Sequence, residues 1–107
     1  MRRHPDLRML VAHLGGLLCL YGHNSDVVGD LSNAYFVTSV PKTPQWIKYA
    51  VESIGPQRVI FGTDYPFNIG SNQTDLRDAI REIGLSDEDE AAVLGGNLGE
   101  LLEAIAN

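Results

Sequence analysis

Three short apolar runs recur along the chain about 25 residues apart: Leu7 to Leu14 (LRMLVAHL), Ala34 to Ser39 (AYFVTS) and Arg58 to Asp64 (RVIFGTD). The first and third are almost continuously apolar. This suits strands covered on both faces, as in a parallel sheet, because a half-exposed antiparallel strand would alternate. Between the second and third runs the period changes to that of a helix. Thr43 is an N-cap candidate, Pro44 takes the first helical position and Gly55-Pro56 forms the stop. Trp46, Ile47, Ala50, Val51 and Ile54 then fall on one face. The segment from Gly16 to Leu31 is expected to cover the sheet as a short or broken helix.

After the third run the pattern is helical only. Helices are expected over Asp75 to Ile83, ending at Gly84, over Asp87 to Leu94, capped by Ser86, and over Leu98 to Ile105. Asn97 and Glu100 stand at capping-box spacing, which assigns Asn97 to a helix cap. Leu98, Leu101, Leu102 and Ile105 form an apolar stripe behind them. The order β-α-β-α-β followed by helices leads to an α/β class with right-handed crossovers, in a single domain over residues 1–107.

In parallel α/β folds the ligand site lies beyond the carboxyl ends of the strands, so the polar residues that close each run are the informative ones. His13 closes the first run, Thr38 and Ser39 the second, and Asp64 the third. An imidazole after four apolar residues must be hydrogen-bonded or have a task, as acid or base, electrophile or ligand. A lone carboxylate after Val59-Ile60-Phe61-Gly62-Thr63 is likewise costly to bury, and a divalent cation would offset that cost. Taken singly, His13 also reads as a satisfied rim histidine and Asp64 as a turn or cap residue. Together, at equivalent strand ends, they point to one shared site. Gly15, Gly16 and Gly62 beside them permit tight turns and close backbone approach.

Composition narrows the function. A formal charge of −6 disfavours a nucleic-acid binder, which needs clustered Lys and Arg to neutralise phosphates. The acidic run Asp87 to Glu90 reads as a solvated helix start. The single cysteine, Cys19, has no internal disulfide partner and reads as a small buried hydrophobe, which fits a cytoplasmic setting. The apolar stretch Met9 to Tyr21 is too short to span a bilayer and is interrupted by His13 and the Gly15-Gly16 pair, so no membrane role is expected.

The residues His4 to Gly16 (HPDLRMLVAHLGG), Arg58 to Pro66 (RVIFGTDYP) and Leu94 to Asn97 (LGGN) together resemble the C-terminal portion of the amidohydrolase-related family. These are metal-dependent hydrolases and decarboxylases built on a TIM barrel, among them aminocarboxymuconate-semialdehyde decarboxylase. The resemblance implies a partial (β/α)8 barrel in which the three runs are the sixth, seventh and eighth strands. It also implies that His13 hydrogen-bonds or polarises metal-bound water or substrate, and that Asp64 touches the metal and shuttles a proton. Gly15, Gly16 and Tyr65 would be adjacent to substrate. The implied cofactor is a divalent metal, usually zinc, which activates water for attack on a carbonyl or assists loss of CO2.

The first-strand His-x-His pair and the fifth-strand histidine of that family have no counterpart here. His4 reads as a surface-loop residue and His23 as a loop or helix-end residue. Two donors do not complete a four-coordinate shell, so the isolated chain is expected to bind metal weakly and to turn over little.

The enzymatic reading, with a small-molecule substrate, competes with a non-catalytic half-barrel module. Such a module would leave strand edges unpaired, and would therefore form a homo-oligomer or dock on an N-terminal half-barrel chain. A small anion-binding domain using Gly15-Gly16 is weaker, because the Lys and Ser/Thr of a P-loop are missing.

Overall fold

All three apolar runs form strands of one parallel sheet, in the order β1 (Met9–Val11), β2 (Ala34–Val37), β3 (Val59–Ile60). A computed structural model of the chain describes residues 3–16, 18–21, 31–39, 44–65 and 73–106. The strands are shorter than the runs that announced them. Beyond the strands the backbone turns at His13, Leu14 and Asp64, all at positive φ.

The register pairs Met9 with Ala34 and Val11 with Phe36, and Phe36 with Val59. These positions share one sheet face, because side chains alternate along a strand. That face carries the core. Ala34, Phe36 and Val59 are buried there with Leu14, Cys19, Ile47, Ala50, Val51, Ile80 and Val93. The opposite face departs from the expectation of two-sided cover. Ile60 is buried, but Leu10 is 50% exposed and Tyr35 and Val37 are only partly covered. The helices supply enough apolar surface for one side of the sheet, and among the described residues nothing comparable closes the other.

Helix α1 (Pro44–Ile54) forms as its periodicity demands. Ile47, Ala50 and Val51 are buried on its sheet side, and Trp46 and Ile54 pack against the same core. Gly55 ends it at φ 89, with its N–H on the Val51 carbonyl at 2.9 Å. Thr43 lies outside the described residues, as does most of the segment from Gly16 to Leu31. The part that is described contains a short 3-10 turn, Leu18–Tyr21, with Cys19 fully buried as expected.

Helix α2 (Gln73–Glu82) is followed by Gly84 at φ 86, and helix α3 (Asp87–Ala91) begins at Ser86, whose hydroxyl accepts the Asp89 N–H at 3.1 Å. The helical backbone then breaks just past Leu94, as expected, at Gly95 (φ 173, ψ −25) within a π-turn over Ala92–Gly96, and helix α4 (Asn97–Ala106) starts at Asn97 itself.

Asn97 is therefore not a cap. Its backbone is helical, and its buried side-chain amide donates to the carbonyls of Pro56 at 2.6 Å and Val59 at 2.8 Å. Ile60 uses its carbonyl for the Thr38 N–H beyond β2, at 2.9 Å, so Val59 and Phe61 present their backbone groups to the other side. There Asn97 donates to the Val59 carbonyl, and the Val93 carbonyl accepts the Phe61 N–H at 3.1 Å. The π-turn and Asn97 thus cover the outer edge of β3 as a neighbouring strand would, and satisfy its polar groups. The apolar stripe of α4 is only half used: Leu101 is buried, whereas Leu102 and Ile105 are exposed.

Arg58, in the 3-10 turn Pro56–Arg58, ties the amino-terminal end of the sheet. Its Nε donates to the Ala34 carbonyl at 2.9 Å, Nη2 donates to the Leu31 carbonyl, and the guanidinium lies over the Phe36 ring.

Candidate active site

The rim is built from the three segments that leave the sheet after Val11, Val37 and Ile60. After β1 the chain enters a left-handed turn over four consecutive residues: His13 (φ 55), Leu14 (φ 52), Gly15 (φ 67) and Gly16 (φ 63). For a residue with a Cβ this conformation costs about 1–2 kcal/mol, so His13 and Leu14 are strained. Two features offset the strain. The Leu14 side chain is fully buried in the core, and the His13 N–H donates to the Ser39 hydroxyl at 3.0 Å. Gly15 is required twice over, because a Cβ there would lie 3.0 Å from Phe36 Cε1 in addition to sitting at positive φ.

After β2, the two polar residues Thr38 and Ser39 are both buried. The Thr38 hydroxyl accepts the Gly62 N–H and donates to the Gly62 carbonyl, each at 3.0 Å. It pins the end of β3 to the end of β2 and is fully consumed by that task. The two segments pack closely at Gly62, where a Cβ would stand 2.5 Å from Val37 Cγ1.

Ser39 faces the other neighbour. Besides its hydroxyl contact to the His13 N–H, its carbonyl lies 2.6 Å from His13 Nδ1, with the hydroxyl 3.3 Å from the same nitrogen. A carbonyl only accepts, so the neutral ring carries its proton on Nδ1 and leaves Nε2 as a bare lone pair.

After β3, Thr63 is partly buried and its hydroxyl accepts the Tyr65 N–H at 3.3 Å. Asp64 follows at φ 61, partly covered, and Tyr65 is 73% exposed beside it. His13 and Asp64 therefore leave parallel strands on the same rim, each in a left-handed backbone conformation. Nitrogen and oxygen donors of this kind suit a divalent ion. They supply only part of a shell: among the described residues no group of three or more His, Cys, Asp and Glu side chains is placed to hold a metal.

The amidohydrolase family model matches residues 1–102, which contain every one of these rim groups. The chain belongs to the amidohydrolase family. None of the curated proteins matches it.

Solved structures share the fold of this amidohydrolase chain. 5-Carboxyvanillate decarboxylase from Sphingomonas paucimobilis superposes with a TM-score of 0.73 at 20% identity, over 95% of this chain and 35% of that one. A dihydroxybenzoic acid decarboxylase from a Polaromonas species, with bound manganese and the inhibitor 2-nitroresorcinol, also gives 0.73, at 21% identity over 95% and 35%. An amidohydrolase from Burkholderia multivorans with bound zinc gives 0.67 at 16% identity, over 92% and 45%. The chain thus spans between about a third and a half of the length of these structures, and has the architecture of a partial (β/α)8 barrel: three parallel strands with C-terminal helices.

Of the residues singled out in the sequence, His13, Gly15, Gly16, Asp64 and Tyr65 all lie on this amidohydrolase rim. His4 is exposed, as expected of a surface-loop residue, and His23 lies outside the described residues. Sequence reasoning noted Ser39 only as the end of a run and did not foresee that it holds His13. No local pattern signals a pairing between residues 26 positions apart.

Proposed function

We propose that this amidohydrolase chain forms the sixth, seventh and eighth strand segment of a metal-dependent barrel enzyme. Its action is hydrolysis or decarboxylation of a small carbonyl or carboxylate substrate. The observation that carries this reading is the common rim of His13 and Asp64, both held in a left-handed backbone conformation that costs stability. The family match supports it, as do the decarboxylases and metal-bound enzymes among the fold relatives.

In this reading Asp64 contributes a carboxylate to a divalent ion, zinc in the first instance, and passes a proton. His13 presents Nε2 to the reacting group as acid or base. Gly15 and Gly16 let backbone approach the substrate, and the exposed Tyr65 ring lines the mouth. When bound, the ion would supply Lewis-acid polarisation and a lowered water pKa. The remaining ligands come from the rest of the barrel, so this segment by itself binds metal weakly and has little turnover. No helix among the described residues is long and apolar enough to cross a membrane, and we place the protein in the cytoplasm.

The test is metal content and activity of the chain alone and together with a segment supplying the first five strands. The expected result is little metal alone, retained zinc or manganese and carboxylate turnover together, and loss of both with Asp64→Asn. Full metal retention by the Asp64→Asn assembly would overturn the assignment.

A second reading is favoured by the half-covered sheet, with Leu10 50% exposed: a non-catalytic half-barrel that docks on a half-barrel partner or on its own copy. A stable assembly that never acquires metal would select it.

A further inference from the structure

The rim contains one buried polar residue outside the sheet ladder that makes three contacts to His13. Ser39 is 6% exposed. Its hydroxyl accepts the His13 backbone N–H at 3.0 Å, its carbonyl accepts from Nδ1 at 2.6 Å, and its hydroxyl stands 3.3 Å from Nδ1. We propose that Ser39 is the positioning residue of the site: through its hydroxyl it holds the left-handed turn at His13, and through its carbonyl it sets the ring to the Nδ1–H tautomer, so that Nε2 is the atom offered to the rim.

The argument is one of coupling. At φ 55 the His13 backbone is strained, and relaxation toward the ordinary extended region would swing the ring away from the Ser39 carbonyl. The hydroxyl contact to the His13 N–H opposes that relaxation at the strained residue itself. Without it, the carbonyl of residue 39 is still present in the chain but no longer meets Nδ1. A freed imidazole then returns to the solution balance, in which the proton sits mainly on Nε2 and the lone pair points the wrong way. The arrangement is the one by which orienting groups fix a catalytic histidine generally: the hydrogen bond at one ring nitrogen decides the state of the other.

The functional meaning of the tautomer rests on the reading of His13 as acid or base, whereas the tautomer itself is readable without metal, substrate or partner. The experiment is nitrogen-15 NMR of the imidazoles in the 107-residue chain labelled at histidine, above the titration of the rings, with the His13 signal assigned by its loss in His13→Asn. The wild type is expected to show a protonated Nδ1 and a bare Nε2. In Ser39→Ala the protonated-Nδ1 signal is lost in favour of Nε2–H while the backbone amide spectrum stays dispersed. Ser39→Thr, which keeps the γ-oxygen, retains the wild-type pattern and serves as the folded comparison if the alanine variant does not fold. A wild-type ring protonated on Nε2, a folded Ser39→Ala chain with an unchanged pattern, or a folded Ser39→Thr chain that loses it would each overturn the proposal. None of these outcomes depends on whether the assembled barrel binds metal, so failure here and failure of the enzymatic reading are separable.

Discussion

The side-chain amide of Asn97 lies 2.8 Å from the carbonyl of Val59 and joins the start of helix α4 to the outer edge of β3 across 38 positions of sequence. The same amide reaches the Pro56 carbonyl, so one buried side chain donates to two carbonyls that no strand covers among the described residues. Removing it takes the side-chain donor from the Val59 carbonyl, at a cost of about 1–3 kcal/mol, while the Pro56 carbonyl keeps the Val59 N–H. Asn97→Ala is expected to lower the denaturation midpoint accordingly with an unchanged m-value, and to speed hydrogen exchange at the Phe61 amide, which the adjoining π-turn holds. Asn97→Asp should be worse, since a carboxylate would then face two carbonyl oxygens.

Gly62 and Val37 offer a cleaner test of packing. A methyl group at residue 62 would meet Val37 Cγ1 at 2.5 Å, so Gly62→Ala is expected to destabilise the chain by about 1–3 kcal/mol. Val37→Ala removes the obstructing atom, and the double variant should recover part of the loss. Strictly additive effects in a double-mutant cycle would show that the clash is not the cause.

Two glycines at positive φ separate strain from crowding. Gly84 has open space around its missing Cβ, whereas Gly15 has Phe36 at 3.0 Å. Gly84→Ala should therefore cost about 1–2 kcal/mol from backbone strain alone, and Gly15→Ala clearly more. Thermal midpoints of the two variants compared side by side check the order.

Asp64 sits at φ 61 in a conformation that Gly and Asn tolerate better. If its place on the rim serves chemistry rather than stability, Asp64→Asn and Asp64→Gly should be as stable as the wild type or more so. The assembled barrel carrying either substitution should nonetheless lose its metal. A marked drop in thermal midpoint for both variants would identify Asp64 as a structural residue.

Much of this molecule was legible before any coordinates. The apolar runs, the helix opened by Pro44 and closed by Gly55, the Ser86 cap and the polar residues at the run ends all follow from local periodicity and local hydrogen-bonding chemistry. Such signals reside within a few neighbouring residues, which is why they survive in one dimension, and they sufficed to place His13 and Asp64 at the ends of parallel strands. The tertiary structure decided the rest. It shortened the strands, turned His13, Leu14 and Asp64 left-handed, made Asn97 a tie between elements instead of a cap, and brought Ser39 onto His13. Each of those outcomes depends on a contact between residues far apart in the chain or on backbone strain that only a packed environment can sustain, and neither leaves a periodic trace in the order of amino acids.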